Sequence, residues 1–82
     1  MKFYVYILYS EVFDKFYVGQ TDNIEIRLAR HNAGTEKATR PYKPWYLKWY
    51  TEKQSRAEAM QLEKKLKNLS KERLKSFIQK YS

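Results

Sequence analysis

The chain has no cysteine among its 82 residues, so a disulfide framework, a thiol nucleophile and a thiolate zinc site are all excluded. Its two glycines, Gly19 and Gly34, are too few for a Gly-rich phosphate loop or a dinucleotide fingerprint. One histidine, His31, cannot build a multi-His metal cage. No apolar run approaches the ~18–20 residues that span a bilayer, so no membrane is expected as partner. The start, Met1-Lys2-Phe3-Tyr4-Val5-Tyr6, lacks the layout of a secretory leader. These absences predict a soluble, cytoplasmic protein formed as one domain over residues 1–82. What the chain has in excess is aromatic side chains and positive charge: eight tyrosines, two tryptophans, four phenylalanines and a formal charge of +8.

The charge is unevenly placed. Residues 1–41 carry six Lys/Arg against five Asp/Glu, whereas residues 42–82 carry eleven against four. A basic half beside a nearly neutral half points to a polyanionic partner met mainly by one face, with nucleic acid ahead of an anionic membrane surface. The plainer alternative is a basic globular domain without a polyanion partner.

The pattern of residues predicts an α+β fold in the order ββαβαα, a small three-stranded antiparallel sheet flanked by helices. Residues 3–9 are aromatic and β-branched throughout and apolar on both faces, the signature of a central strand covered on each side. A polar turn over 10–15 leads to a returning strand over 16–20. Strand alternation then lets Tyr6 and Tyr17 share one face. Asp22 with Glu25 three residues on resembles a capping box opening a helix, which Gly34 ends. On that helix Ile24 and Leu28 form an apolar stripe, and Arg27 and His31 project together from the next one. Residues 35–44 read as an exposed loop broken by two prolines. Trp45 to Thr51 reads as a third strand in which Trp45, Leu47 and Trp49 share a face. Ser55 with Glu58 caps a second helix with the stripe Ala59, Leu62, Leu66 and Leu69. Ser70 caps a last helix with the stripe Leu74, Phe77, Ile78 and Tyr81.

Most catalytic constellations are missing. No Gly-x-Ser-x-Gly elbow exists for a serine hydrolase, no spacing of carboxylates marks a glycosidase, and no Asp-x-Asp pattern marks a two-metal phosphodiesterase. Tyr6, Tyr17, Arg27, His31 and Glu63 remain, a set containing hydroxyls, a cation and a carboxylate suited to cutting a phosphodiester. Taken singly, each has a plainer role: strand aromatics, a solvated arginine, a histidine beside a helix C-terminus, a surface ion pair. Glu63 lies about 80° from the centre of its helix's apolar stripe, at the edge of the buried face, where an acid can reach a groove beside the sheet.

In order along the chain, Tyr4-Val5-Tyr6, Tyr17-Val18-Gly19, Arg27, His31 and Glu63 resemble the GIY-YIG nuclease superfamily. The likeness runs from Phe3 to about Ile78, and the tail from Glu63 to Ser70 is similar to that of the small stand-alone members. Tyr4 stands where the first motif carries glycine, and Gln20 where DNA repair members place a lysine. The resemblance implies a metal-dependent endonuclease. Tyr17 would accept a proton from the attacking water, Arg27 would hold the phosphate, and Tyr6 would orient the water or Tyr17. His31 would assist proton transfer or touch a phosphate. Glu63 would hold one Mg2+ or Mn2+ ion with waters completing its shell. A free phenol keeps its proton at neutral pH, so Arg27 or metal-bound water must draw it off. Gly19 would leave room for close approach. Backbone contacts to DNA, branched or flapped, would come from Arg40, Lys43, Lys48, Lys64, Lys67, Lys71 and Lys75. A protein partner could supply targeting. The competing expectation is a binding or protein-interaction module that keeps the fold with little catalysis, in which Tyr42, Trp45, Tyr46 and Trp49 stack on bases or form an interface.

Overall fold

Val5, Tyr6, Ile7 and Leu8 are all buried, on both faces of one strand, and that strand organises the molecule. The structure is a computed structural model that describes residues 2–81. Met1 and Ser82, the two ends of the expected 1–82 span, lie outside them. The elements run β1 (Phe3–Ser10), β2 (Lys15–Thr21), α1 (Ile24–Ala33), a 3-10 turn (Arg40–Tyr42), β3 (Tyr46–Lys53), α2 (Arg56–Lys67) and α3 (Lys71–Tyr81). Among the described residues the sheet is antiparallel with strand order β2-β1-β3. The expected ββαβαα order and α+β class hold. None of the helices is long and apolar enough to cross a membrane.

Each face of β1 has its own core. Val5 and Ile7 pack with Val18, Ala59, Leu66 and Leu74 under α2 and α3, while Tyr6 and Leu8 pack with Trp45, Ile24 and Leu28 under α1. Burying a side chain such as Leu66 contributes roughly 1.5–3 kcal/mol. The strand edges therefore differ: β1 is paired on both sides, and β2 keeps one edge open.

Three local expectations are corrected. The cap of α1 is Asn23, not Asp22; its extended backbone lets Oδ1 accept from the Ile26 N–H at 3.1 Å. With Asn23 as cap, the box position three residues on is Ile26, so Glu25 closes no box. The third strand runs from Tyr46 to Lys53, and it does not keep one phase. Ile7 faces Trp49 and Leu8 faces Leu47, so Lys48 is the extra residue of a β-bulge. Trp49 consequently joins the α2/α3 core against Phe77, whereas Trp45 and Leu47 stay in the α1 core. Tyr81 is exposed rather than core, although its ring stacks on Phe77. The caps of α2 and α3 are as expected: Ser55 Oγ accepts from the Glu58 N–H at 3.2 Å and Ser70 Oγ from the Arg73 N–H at 3.2 Å.

The segment before β3 is tied down rather than loose. Asn32 accepts from the Trp45 N–H at 2.6 Å and donates to the Trp45 carbonyl at 3.0 Å, and the Trp45 indole donates to the Thr39 carbonyl at 2.9 Å. Trp45 is 3 % exposed, which removes it from any surface that stacks on bases.

Candidate active site

Tyr6 and Tyr17 do share a face, with ring centroids 6.4 Å apart. Gly19 sits opposite Tyr6 in the register, and a Cβ there would lie 2.5 Å from the Tyr6 hydroxyl oxygen. Glycine is needed because the buried phenol has nowhere to retreat. The Tyr6 hydroxyl is 2.9 Å from His31 Nε2, and His31 Nδ1 is 2.8 Å from Thr39 Oγ1. Burial pushes the Tyr6 phenol well above its ordinary range, and Tyr17 adds to the rise. Tyr6 is therefore a proton-bearing hydroxyl, and proton removal falls to another group.

His31 is fully buried. Its pKa is lowered, first by burial and then by the positive charge of Arg27. It is a neutral ring with both nitrogens engaged, so contact with a phosphate is ruled out by burial and the link to Tyr6 remains. The consequence for stability is directional. Because the folded-state pKa lies below the unfolded one, this contribution is complete above the unfolded value and is lost as pH falls from there through the folded value. The melting temperature should drop between about pH 7 and pH 5, and a His31→Gln variant should lose that part of the slope. Thermal melts across the range check it, and identical slopes for both proteins would overturn it.

Tyr17 lies on the open-edged strand β2. Its ring packs 4.9 Å from the His31 ring and 6.3 Å from the Trp45 ring, and Lys67 Nζ stands 5.9 Å over it. Among the described residues its hydroxyl has no hydrogen-bond partner. A groove between the β1–β2 turn and the α2–α3 junction is lined by Tyr17 together with Lys15, Lys67 and Lys71.

Arg27 lies one helical turn before His31 on α1. Its Nε is 3.6 Å from Glu36 Oε1, which also takes Arg30 at 3.4 Å. These are long ion pairs, since neither Arg27 Nε nor Glu36 Oε1 makes a hydrogen bond. About a third of the Arg27 side chain is exposed, into a small recess shared with Gln20 and Arg56. Glu63 comes from the opposite face of the sheet. Its Oε1 accepts from Gln20 Nε2 at 3.2 Å and its Oε2 pairs with Lys67 at 3.1 Å.

The structure thus brings Tyr6, Tyr17 and His31 into contact, with Arg27 near enough to bias both Tyr6 and His31. Among the described residues Glu63 makes no hydrogen bond to them, though its charge, like that of Arg27, reaches Tyr6. Two side chains bridge the gap round the open edge of β2: Gln20, bonded to Glu63 and lining the Arg27 recess, and Lys67, paired with Glu63 and lying over Tyr17.

The expected basic surface is split. Lys67, Lys71 and Lys75 are in ion pairs with Glu63, Asp14 and Glu72, and Lys48 lies over the Tyr9 ring. Arg40, Lys43 and Lys64 are exposed and form no ion pair among the described residues. Lys43 Nζ and the Arg40 stem gather beside Gly34, where the C-terminal dipole of α1 favours positive charge. Lys15, Glu36 and Thr39 were missed by sequence reasoning, which read Gln20 only as standing in place of a lysine and not as a partner of Glu63. Lys15 alone carried a signal, as a cation opening the strand that bears Tyr17.

Among the described residues no group of three or more His, Cys, Asp or Glu side chains could enclose a metal. A single carboxylate suits only a hard cation that keeps most of its water shell, which is the preference of Mg2+ and matches oxygen ligands for Mn2+. Glu63 fits that demand if Lys67, half exposed, swings off Oε2.

Comparison with known proteins agrees with the fold and the family resemblance. Residues 2–80 match the family model described as the GIY-YIG catalytic domain. A UPF0213 protein of Staphylococcus haemolyticus is 35% identical over 79 residues, 95% of each chain. The solution NMR structure of a UPF0213 protein from Bacillus halodurans superposes with a TM-score of 0.64 at 30% identity, covering 99% of this chain and 86% of that one. With a match that spans nearly every element, the chain belongs to the GIY-YIG family.

Proposed function

We propose that the chain, acting as one domain, is an endonuclease that hydrolyses DNA phosphodiester bonds with Tyr17 as the group that receives the water's proton. The observation that carries this reading is Tyr17 itself: it lines a groove with Lys15, Lys67 and Lys71, and its hydroxyl has no hydrogen-bond partner among the described residues. A core tyrosine normally finds a partner for its hydroxyl when buried, and phosphates are drawn to such a set of cations.

The chain's own residues divide the work. Lys15, Lys67 and Lys71 neutralise backbone phosphates along the groove, with Arg40, Lys43, Lys48, Lys64 and Lys75 extending the positive surface. Arg27 leaves Glu36 to hold the scissile phosphate, where a guanidinium is worth most as charge builds up. Tyr17 acts as a phenolate, having first given its own proton to solvent. Water oxygen bonds to phosphorus, and the water's proton passes to the Tyr17 oxygen. The bond to the leaving oxygen breaks, that oxygen departing with the bond's electron pair and taking a proton from solvent. Tyr6, held by His31, orients that water. Glu63 would hold the Mg2+ or Mn2+ ion, which supplies Lewis-acid stabilisation of the leaving oxygen when bound. Branched or flapped DNA, delivered with a protein partner, suits a site that lies on an open strand edge.

A second reading, a nucleic-acid-binding module with little catalysis, is favoured by the two resting ion pairs that occupy Arg27 and Glu63. Incubating the protein with flapped, branched and linear DNA separates the two. Cleavage that needs Mg2+ or Mn2+ and stops on chelation supports the nuclease. Salt-dependent binding with no product under any metal condition supports the module and overturns the nuclease.

A further inference from the structure

Four groups buried beneath the site form an ordered series: Tyr6 hydroxyl, His31 imidazole, Thr39 hydroxyl and the Glu36 carbonyl. The separations are 2.9, 2.8 and 3.5 Å. Tyr6, His31 and Thr39 are each 1 % exposed or less, so water does not complete their bonding. Two proton arrangements fit these distances. In the first, Tyr6 O–H donates to Nε2, Nδ1–H donates to Thr39 Oγ1, and Thr39 O–H donates to the Glu36 carbonyl. In the second, Thr39 O–H donates to Nδ1 and Nε2–H donates to the Tyr6 oxygen.

The two differ in what they leave unmatched. The first gives every buried donor an acceptor. The second strands the Tyr6 hydroxyl proton inside the protein, and an unsatisfied buried donor costs about 1–3 kcal/mol. The Glu36 carbonyl does not decide the matter, since it already accepts from the Thr39 and Arg40 N–H groups at 3.2 and 2.9 Å. The Tyr6 proton decides it, because Nε2 is its one acceptor among the described residues, and Thr39 Oγ1 completes the arrangement by accepting the proton left on Nδ1. Thr39 is itself fixed, because the buried Trp45 indole donates to its carbonyl at 2.9 Å.

We propose that Thr39 is a positioning residue that holds His31 in the Nδ1–H tautomer and so turns the Tyr6 hydroxyl into a hydrogen-bond acceptor toward the site. Its proton is committed to His31, so a water admitted beside it with the substrate can only donate to its oxygen. Resting on the nuclease reading, this gives Tyr6 a defined task. It accepts one O–H of the attacking water, which leaves the other O–H to point at Tyr17. In the opposite tautomer Tyr6 would donate, and the water would turn its lone pair toward Tyr6 and away from phosphorus.

His31 is the sole histidine, so its tautomer can be read without assignment. Long-range proton–nitrogen correlation spectra of the nitrogen-15-labelled full chain, at roughly pH 8 where imidazole is neutral, should show the Nδ1–H pattern. Thr39→Ser keeps the acceptor and should keep the pattern. Thr39→Val removes it, leaves one buried donor stranded in either tautomer, and should bring in the Nε2–H ring beside the Nδ1–H one. An Nε2–H ring in the wild-type protein, or an unchanged ring in a folded Thr39→Val, overturns the proposal. If Thr39→Val does not fold, the wild-type and Thr39→Ser spectra decide. On DNA, Thr39→Val should lower kcat about tenfold with KM unchanged, and Thr39→Ser should restore it. A wild-type protein that never cuts DNA removes the nuclease reading and the water-orienting task, while the spectra still decide whether Thr39 sets the tautomer.

Discussion

Tyr17→Phe should cut the rate of DNA cleavage by about 10²- to 10⁴-fold, the span that a positioned proton acceptor contributes, while leaving the fold intact. Both halves follow from one geometry. The ring supplies the packing against His31 and Trp45, and phenylalanine keeps the ring. The hydroxyl has no hydrogen-bond partner among the described residues to lose, so the melting temperature should move little. DNA affinity should hold as well, since Lys15, Lys67 and Lys71 are untouched. Single-turnover cleavage beside a melting curve and a binding isotherm makes the check. A Tyr17→Phe protein that cuts at the wild-type rate removes Tyr17 from the chemistry.

The second large effect is expected at Glu63. Glu63→Gln should lower cleavage by about 10²- to 10³-fold, equivalent to the several kcal/mol that a bound cation supplies to a charged transition state. The substitution is nearly isosteric, and the new amide oxygen can still accept from Gln20. What it deletes is the negative charge. In structural terms that charge serves an i,i+4 pair with a half-exposed lysine, worth about 0.3–0.5 kcal/mol. A small stability change beside a large kinetic one therefore separates a metal ligand from an ordinary surface ion pair. Mn2+-induced broadening of backbone resonances near Gln20 should disappear in the variant. Broadening and cleavage that both survive would reassign the metal elsewhere.

Sequence reading reached further into the fold than into the site, for identifiable reasons. The central strand was legible because Phe3 to Tyr9 is apolar on both faces, and the Ser55 and Ser70 caps because a hydroxyl before a stripe has one use there. Asp22 and Asn23 are adjacent and equally good caps, and only the backbone turn at Asn23 chooses between them. The same-face placement of Tyr6 and Tyr17 followed from alternation alone. Burial of His31 did not. Four residues advance a helix about 40° beyond a full turn, and that offset separates a rim position at Arg27 from a sealed one at His31. Thr39 gave no signal at all, since a loop hydroxyl finds its partner only after the chain has closed over Trp45. Glu63 was legible through its place in an ordered set, whereas its attachment to Gln20, 43 positions earlier in the chain, is a product of tertiary folding.

The extra residue at Lys48 has a consequence for how this chain can vary. One short strand serves two separate interiors because the bulge shifts its phase by half a repeat midway, sending Leu47 and Trp49 to opposite sides. Composition alone does not secure that arrangement; the bulge does. A chain lacking Lys48 would pair regularly at this point, with Trp49 still facing Ile7 and Leu47 still facing Leu8. Forcing Lys48 into the regular ladder would instead turn Trp49 onto the side of Leu47 and empty its place against Phe77.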